Sequence, residues 1–168
     1  KDAGLSSTLK HFPGYGNNVD THKGIAVDNR PFSNFESSDF LPFEAGIAAG
    51  VESILVSHNM VECMDSGVPA SLSPTVHRIL RNVLHFTGVI ITDDLSMGGV
   101  ADYAKTPAGM NPAVQAVLAG NDILLLSNYA DGYGAVMAAA ENGIISSEII
   151  DHAVFRILAW KYAKGLLN

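Results

Sequence analysis

Three short apolar runs stand out along the chain: Ser53-Ile54-Leu55-Val56-Ser57, Gly88-Val89-Ile90-Ile91-Thr92 and Asp122-Ile123-Leu124-Leu125-Leu126. None alternates apolar with polar. Unbroken runs of this length predict strands buried on both faces, as in a parallel sheet. Ser7-Thr8-Leu9-Lys10 is a fourth, more weakly patterned candidate. Helical patterns fall between the runs. The first covers residues 40–49, with Ser37, Ser38 and Asp39 as start signals. The second covers 75–83, where Ser73 can cap and Pro74 takes the first helical position. Residues 112–119 are stopped by Gly120, and 134–141 by Gly143. The last and longest, 148–164, is opened by Ser146 or Ser147 and closed by Gly165. Its Ile149, Ile150, Val154, Ile157, Leu158 and Tyr162 keep the i, i+3, i+4 rhythm of a helix with one apolar face.

Strands alternating with helices in this way predict βα units and a parallel α/β fold. Two architectures compete. A doubly wound open sheet fits 168 residues comfortably, whereas a (β/α)8 barrel usually needs about 250. Length alone favours the open sheet. No glycine-rich dinucleotide fingerprint follows any strand; Gly14-Tyr15-Gly16 lacks the third glycine and a helix start.

Composition narrows the classes. With 48% hydrophobic and 16% charged residues the chain is not a disordered one. A net charge of −7 argues against a nucleic-acid footprint. No apolar run reaches the roughly 18–20 residues of a transmembrane helix; the most apolar stretch, 113–126, is broken by Gly120-Asn121-Asp122. Cys63 is the only cysteine, so an internal disulfide and a thiolate cluster are excluded, and it is expected to be a small buried residue. The given residues show no signal-peptide pattern, but the chain opens at Lys1 without a Met, as a piece of something longer would, so this says little about compartment.

In parallel α/β folds reactive groups collect where strands end. The candidate strands end in Lys10-His11, Ser57-His58-Asn59, Thr92-Asp93-Asp94 and Ser127-Asn128. Each group has an ordinary structural explanation as a cap or turn, but together they predict a pocket. The stretch 12–34 is long, rich in Gly, Asn and Pro, and without period, as functional loops are. Within it Asp20 and His22 are two residues apart, so in an extended loop they project to one side. The carboxylate can then orient the imidazole and raise its pKa, making it a proton donor near neutral pH. Spacing alone does not choose between this dyad and an incidental surface pair.

The runs Lys10-His11-Phe12-Pro13-Gly14-Tyr15-Gly16, Asp20-Thr21-His22 and Ile91-Thr92-Asp93-Asp94-Leu95-Ser96-Met97 resemble glycoside hydrolase family 3, in its bacterial β-N-acetylglucosaminidase branch. Leu41-Pro42-Phe43 after Asp39, Val56-Ser57-His58, Pro69-Ala70-Ser71-Leu72-Ser73 and Ala119-Gly120-Asn121-Asp122 add to the resemblance. The Asp-x-His element is its specific part, since family 3 β-glucosidases take their acid from another domain. The resemblance implies a TIM-like barrel of which residues 1–168 form the C-terminal half, about four βα units, against the length argument. It implies Asp93 as nucleophile, His22 as general acid and base, and Asp20 as its partner. Lys10, His11 and His58 would contact the sugar, with Met97 beside the acetamido group. Only one of Asp93 and Asp94 can face a pocket, because successive strand side chains alternate, and the resemblance selects Asp93. The implied reaction is retaining hydrolysis of terminal β-linked GlcNAc, from glycans or peptidoglycan fragments, with no cofactor. A His–Asp dyad would replace one of the usual two carboxylates.

Two departures accompany the resemblance. Tyr15 stands where relatives commonly carry His. The sugar-binding acidic residue and arginines of the family's N-terminal half are absent, so the isolated chain is expected to be weak or inactive. Exposed half-barrel edges predict a homodimer. Two other readings stay open. One is a non-catalytic sugar-binding half-barrel. The other is a metal-dependent hydrolase using His11, His22, His58, Asp20 and Asp93, though no paired-His metal motif is present.

Overall fold

The computed structural model describes residues 4–16, 26–105 and 110–167. Its centre is a four-stranded parallel sheet in the order β1 (Thr8–Phe12), β3 (Ser53–Val56), β5 (Val89–Asp94), β6 (Ile123–Leu125). All four expected strands are present, and each main strand pairs with the next one along the chain. That order is the curl of a barrel wall, not the reversal of a doubly wound sheet. β2 (Val27–Asp28) and β4 (Met60–Val61) form a separate two-stranded parallel ribbon beside it.

One face of the sheet carries the helices. Ile54, Val56, Ile90 and Phe12 point into a buried cluster with Phe35, Phe40, Phe43, Val76, Leu80 and Phe86. Phe12 stacks on Phe40 at 5.6 Å between ring centroids and meets Phe43 edge-on at 5.1 Å. α1 (Phe32–Asn34), a π-type turn and α2 (Phe40–Ala48) run as one continuous helical stretch. The expected start at Ser37–Asp39 is therefore inside a helix. The Asp39 carboxylate does not cap; it accepts from both terminal nitrogens of Arg30, at 2.9 and 3.0 Å. α3 (Pro74–Arg78) starts as expected, with the Ser73 hydroxyl accepting from Val76 N–H at 3.1 Å, and continues as a π-type turn to Val83.

α4 (Gly98–Ala104) was not apparent from the pattern, because Gly98-Gly99 opens it and no side chain caps it. α5 (Pro112–Ala119) ends where expected: Gly120 takes φ +108°, a conformation that a Cβ would strain. α6 (Tyr129–Glu141) begins five residues before the expected start, and α7 (Ser147–Ala163) is capped by Ser146. No helix among the described residues is long and apolar enough to cross a membrane.

Among the described residues the buried clusters lie on the first face, and the other is met only at its edge by α7, whose Ile157 and Trp160 share a hollow with Ile123. Leu55, Ile91 and Ile123 are half-buried there, and Leu125 is exposed. The expectation of burial on both faces is thus corrected: a half-circle of barrel wall has an inner face with no wall opposite. α7 meets the expectation only in part: Ile149 and Ile150 pack against Val114, Ala139 and Ile145, but none of its residues is fully buried. It is also tied near the start of the strands, by Trp160 Nε1–H to Ser6 Oγ (3.0 Å), Lys164 to Glu52 (2.6 Å) and Arg156 to Asp122 (2.9 Å). Cys63 is exposed rather than buried.

Candidate active site

Two strand irregularities shape the C-terminal rim of the sheet. In β1, Leu9 pairs with Ile54 and Phe12 with Val56, three steps against two. In β5, Ile91 pairs with Ile123 and Asp94 with Leu125, again three against two. Such bulges re-aim side chains at strand ends. Leu9 and Phe12 both pack on the helix side although they are three apart, which strict alternation would forbid. Lys10 and His11 are left clear of that core. Asp93 is likewise free of the helix-side clusters, its side chain 20% exposed.

These residues meet across the intervening strand. His11 Nε2 lies 3.8 Å from Asp93 Oδ2. Tyr15 abuts the His11 ring edge-on at 5.3 Å. The other Asp93 oxygen accepts the Asp94 N–H at 2.9 Å, so one oxygen is fixed and the other faces the rim. Asp94 is a structural acceptor. Its carboxylate takes the Ser96 N–H and the Ser127 hydroxyl, each at 2.8 Å. The bond from the Ser96 backbone, ahead of the Ser127 hydroxyl, holds its carboxyl below the usual range. Lys10 is exposed at this rim, and Met97 is half-buried in the turn before α4.

His58 departs from the expected sugar contact. It is 1% exposed, and both ring nitrogens are engaged. Nε2 lies 2.9 Å from the Asp94 carbonyl, a pure acceptor, so Nε2–H donates. Nδ1 then accepts from the Ser71 hydroxyl at 2.7 Å. The ring has no free nitrogen for a hydroxyl; it anchors the end of β5 on which Asp93 sits. Ser127 is one of the polar strand ends that the sequence pattern picks out, whereas the pattern does not point to Ser71 as a partner of this rim. Asp20 and His22 lie outside the described residues. Among the described residues no three His, Cys, Asp or Glu side chains gather as a metal site.

At the foot of the rim Arg30 bridges two carboxylates. It meets Asp28 at 2.8 Å and Asp39 at 2.9 Å, and both acidic side chains are almost fully buried. Their hydrogen bonds, Asp28 first, raise the Arg30 pKa above its ordinary value.

Burial lowers the pKa of His58, against the opposing pull of the Asp94 carbonyl and nearby carboxylates. Burial likewise lowers that of His77, whose Nδ1–H donates to the Ser73 carbonyl at 2.8 Å. Both folded-state values lie below the unfolded ones, so the unfolded chain takes up protons first on acidification. Stability contributed by these rings is complete above about pH 6.5 and falls below it, by up to about 1.4 kcal/mol per pH unit per histidine. Denaturant titrations at stepped pH should show that slope, and His77→Gln should reduce it to the share of His58. A curve flat from neutrality to pH 5 would contradict the assignment.

A carboxylate and an imidazole converging at the C-terminal ends of parallel strands is the arrangement of a barrel enzyme. Residues 1–160 match the family model "Glycosyl hydrolase family 3 N terminal domain". A β-hexosaminidase of Xylella fastidiosa (strain M12) is 38% identical over 126 residues, 74% of this chain and 36% of that protein. That of Methylococcus capsulatus is 34% identical over 144 residues, 83% of this chain and 41% of the relative. A family 3 β-N-acetylglucosaminidase structure from Paenibacillus sp. str. FPU-7 superposes with a TM-score of 0.89 at 35% identity, over 98% of this chain and 32% of that one. The chain belongs to glycosyl hydrolase family 3. It spans about a third of the length of these relatives.

Proposed function

We propose that this chain is the C-terminal half of a family 3 catalytic barrel that hydrolyses terminal β-linked GlcNAc with retention. The observation that carries the reading is Asp93, presented at the bulged rim with one oxygen fixed and the other facing His11. Asp93 would attack the anomeric carbon and form a glycosyl-enzyme. His22, oriented by Asp20, would protonate the leaving oxygen and then activate water. Lys10 and His11 would bind sugar hydroxyls. GlcNAc-containing glycans, peptidoglycan fragments among them, are the substrate class; the support is the relatives named β-hexosaminidase and β-N-acetylglucosaminidase. The chain on its own would be slow, because a half-barrel supplies only part of the pocket wall and a misplacement of about 1 Å can cost about 100-fold.

The test compares two substrates in a protein that completes the barrel. Nitrophenolate leaves with little protonation, whereas a GlcNAc disaccharide needs an acid. His22→Ala should therefore slow the disaccharide far more than 4-nitrophenyl β-GlcNAc. Equal losses on both substrates would remove His22 from the acid role.

The half-buried face of the sheet, together with exposed Phe155, Tyr162 and Leu166, supports self-association of the chain on its own. Light scattering at tens of micromolar should give a dimer, and a monodisperse monomer would contradict it.

A further inference from the structure

A cleft of about 480 Å³ opens between α3 with its π-type continuation, the end of α5, and α7. It includes Asp122, immediately before β6, and so lies toward the strand starts, away from the Asp93 rim. Arg78, Arg81 and Arg156 line it, with His77 and His152, and its one acidic residue is Asp122. On a chain of net charge −7 with ten Lys and Arg in all, three arginines around one hollow is not what composition supplies.

Asp122 does not neutralise this group. Its side chain is 1% exposed, and its oxygens are occupied by Arg81 (2.8 Å), Arg156 (2.9 Å) and the Ile90 N–H (2.8 Å). Three guanidiniums against one carboxylate leave a formal excess of two positive charges. Arg78 is outside that network: its one hydrogen bond is to the Thr75 hydroxyl at 3.0 Å, and it is exposed. His152 sits one helical turn before Arg156, on the same face of α7.

We propose that this cleft binds a phosphate group. A dianion matches the excess charge, and planar guanidiniums pair with phosphate oxygens in a bidentate manner. The volume lies within the range of small-molecule sites and admits a phosphorylated sugar as well as the free ion. Arg81, held by Asp122 and by the Phe86 and Gly88 carbonyls, contributes charge from the floor; Arg156 is positioned by Asp122, and the exposed Arg78 and His152 supply the direct contacts.

Calorimetric titration of the chain with inorganic phosphate, against chloride at equal ionic strength, tests the site. Phosphate should bind where chloride does not, and Arg78→Ala should weaken it about tenfold, a loss expected for one charge-assisted contact. His152→Ala should weaken it further when combined with Arg78→Ala. A parallel titration with glucose 6-phosphate and with glucose separates the sources: tighter binding of the ester identifies a sugar phosphate, and equal binding the free ion. Phosphate heats equal to those of chloride, or an Arg78→Ala chain that binds phosphate as tightly as the parent, would overturn the proposal. Asp93→Asn should leave phosphate binding unchanged, so this result is independent of the hydrolase reading.

Discussion

Asp93→Asn should lower kcat/KM for 4-nitrophenyl β-GlcNAc by about ten-thousand-fold or more in a protein that completes the barrel, a loss typical of removing a nucleophile. The substitution is nearly isosteric. The amide oxygen can still accept the Asp94 N–H that the carboxylate accepts at 2.9 Å, so the rim should keep its shape. What is lost is the anionic oxygen facing His11. Unfolding curves superimposable on the parent would separate chemistry from folding. Asp93→Ala opens room for a small external nucleophile, and azide should restore turnover with an α-glycosyl azide as product. The inverted azide would mark Asp93 as the attacking group rather than a distant electrostatic aid. Parent-like rates in either variant would remove Asp93 from its role.

The largest effect on stability is expected at Asp122. Its carboxylate holds Arg81, Arg156 and the Ile90 N–H at once, while its own N–H donates to the Ile90 carbonyl at 2.8 Å. This one residue ties the entry of β6 to β5, to the turn after α3 and to α7. Asp122→Ala leaves Arg81 partly buried without its counter-ion and orphans the Ile90 N–H. Breaking a buried pair in this way costs about 3–5 kcal/mol, a large share of a domain's usual 5–15. Arg156→Ala should cost about 1 kcal/mol or less, because Arg156 is a third exposed and its loss leaves Asp122 still paired with Arg81. Chemical denaturation of the two variants checks the ranking; near-equal midpoints would contradict it.

The motifs legible in the sequence map unevenly onto the structure. The three apolar runs are strands because continuous Ile, Leu and Val rows suit a parallel sheet, whatever surrounds them. Ser73 and Gly120 mark helix ends through local chemistry that needs no tertiary partner. α4 was hidden by its glycines, and the short strands β2 and β4 carry too few residues for any period. The helical rhythm of α7 is real, but rhythm does not say whether a face finds a partner, and here Val154, Leu158 and Tyr162 remain exposed. Arg30 joins Asp28, two residues away, to Asp39, nine residues away on the other side, through a geometry that spacing does not encode.

By itself the sequence determined the βα alternation, the polar strand ends and the acidic residues available there. Those follow from side-chain periodicity and backbone propensity, which act over a few residues. Tertiary structure alone decided which groups share a pocket. The bulges in β1 and β5 turn His11 and Asp93 to a common side, and a register shift is a property of two strands together. Burial, too, is collective: it took His58 from a sugar contact to an anchor, because the walls that exclude water from its ring come from Ser71 and the end of β5, many residues away.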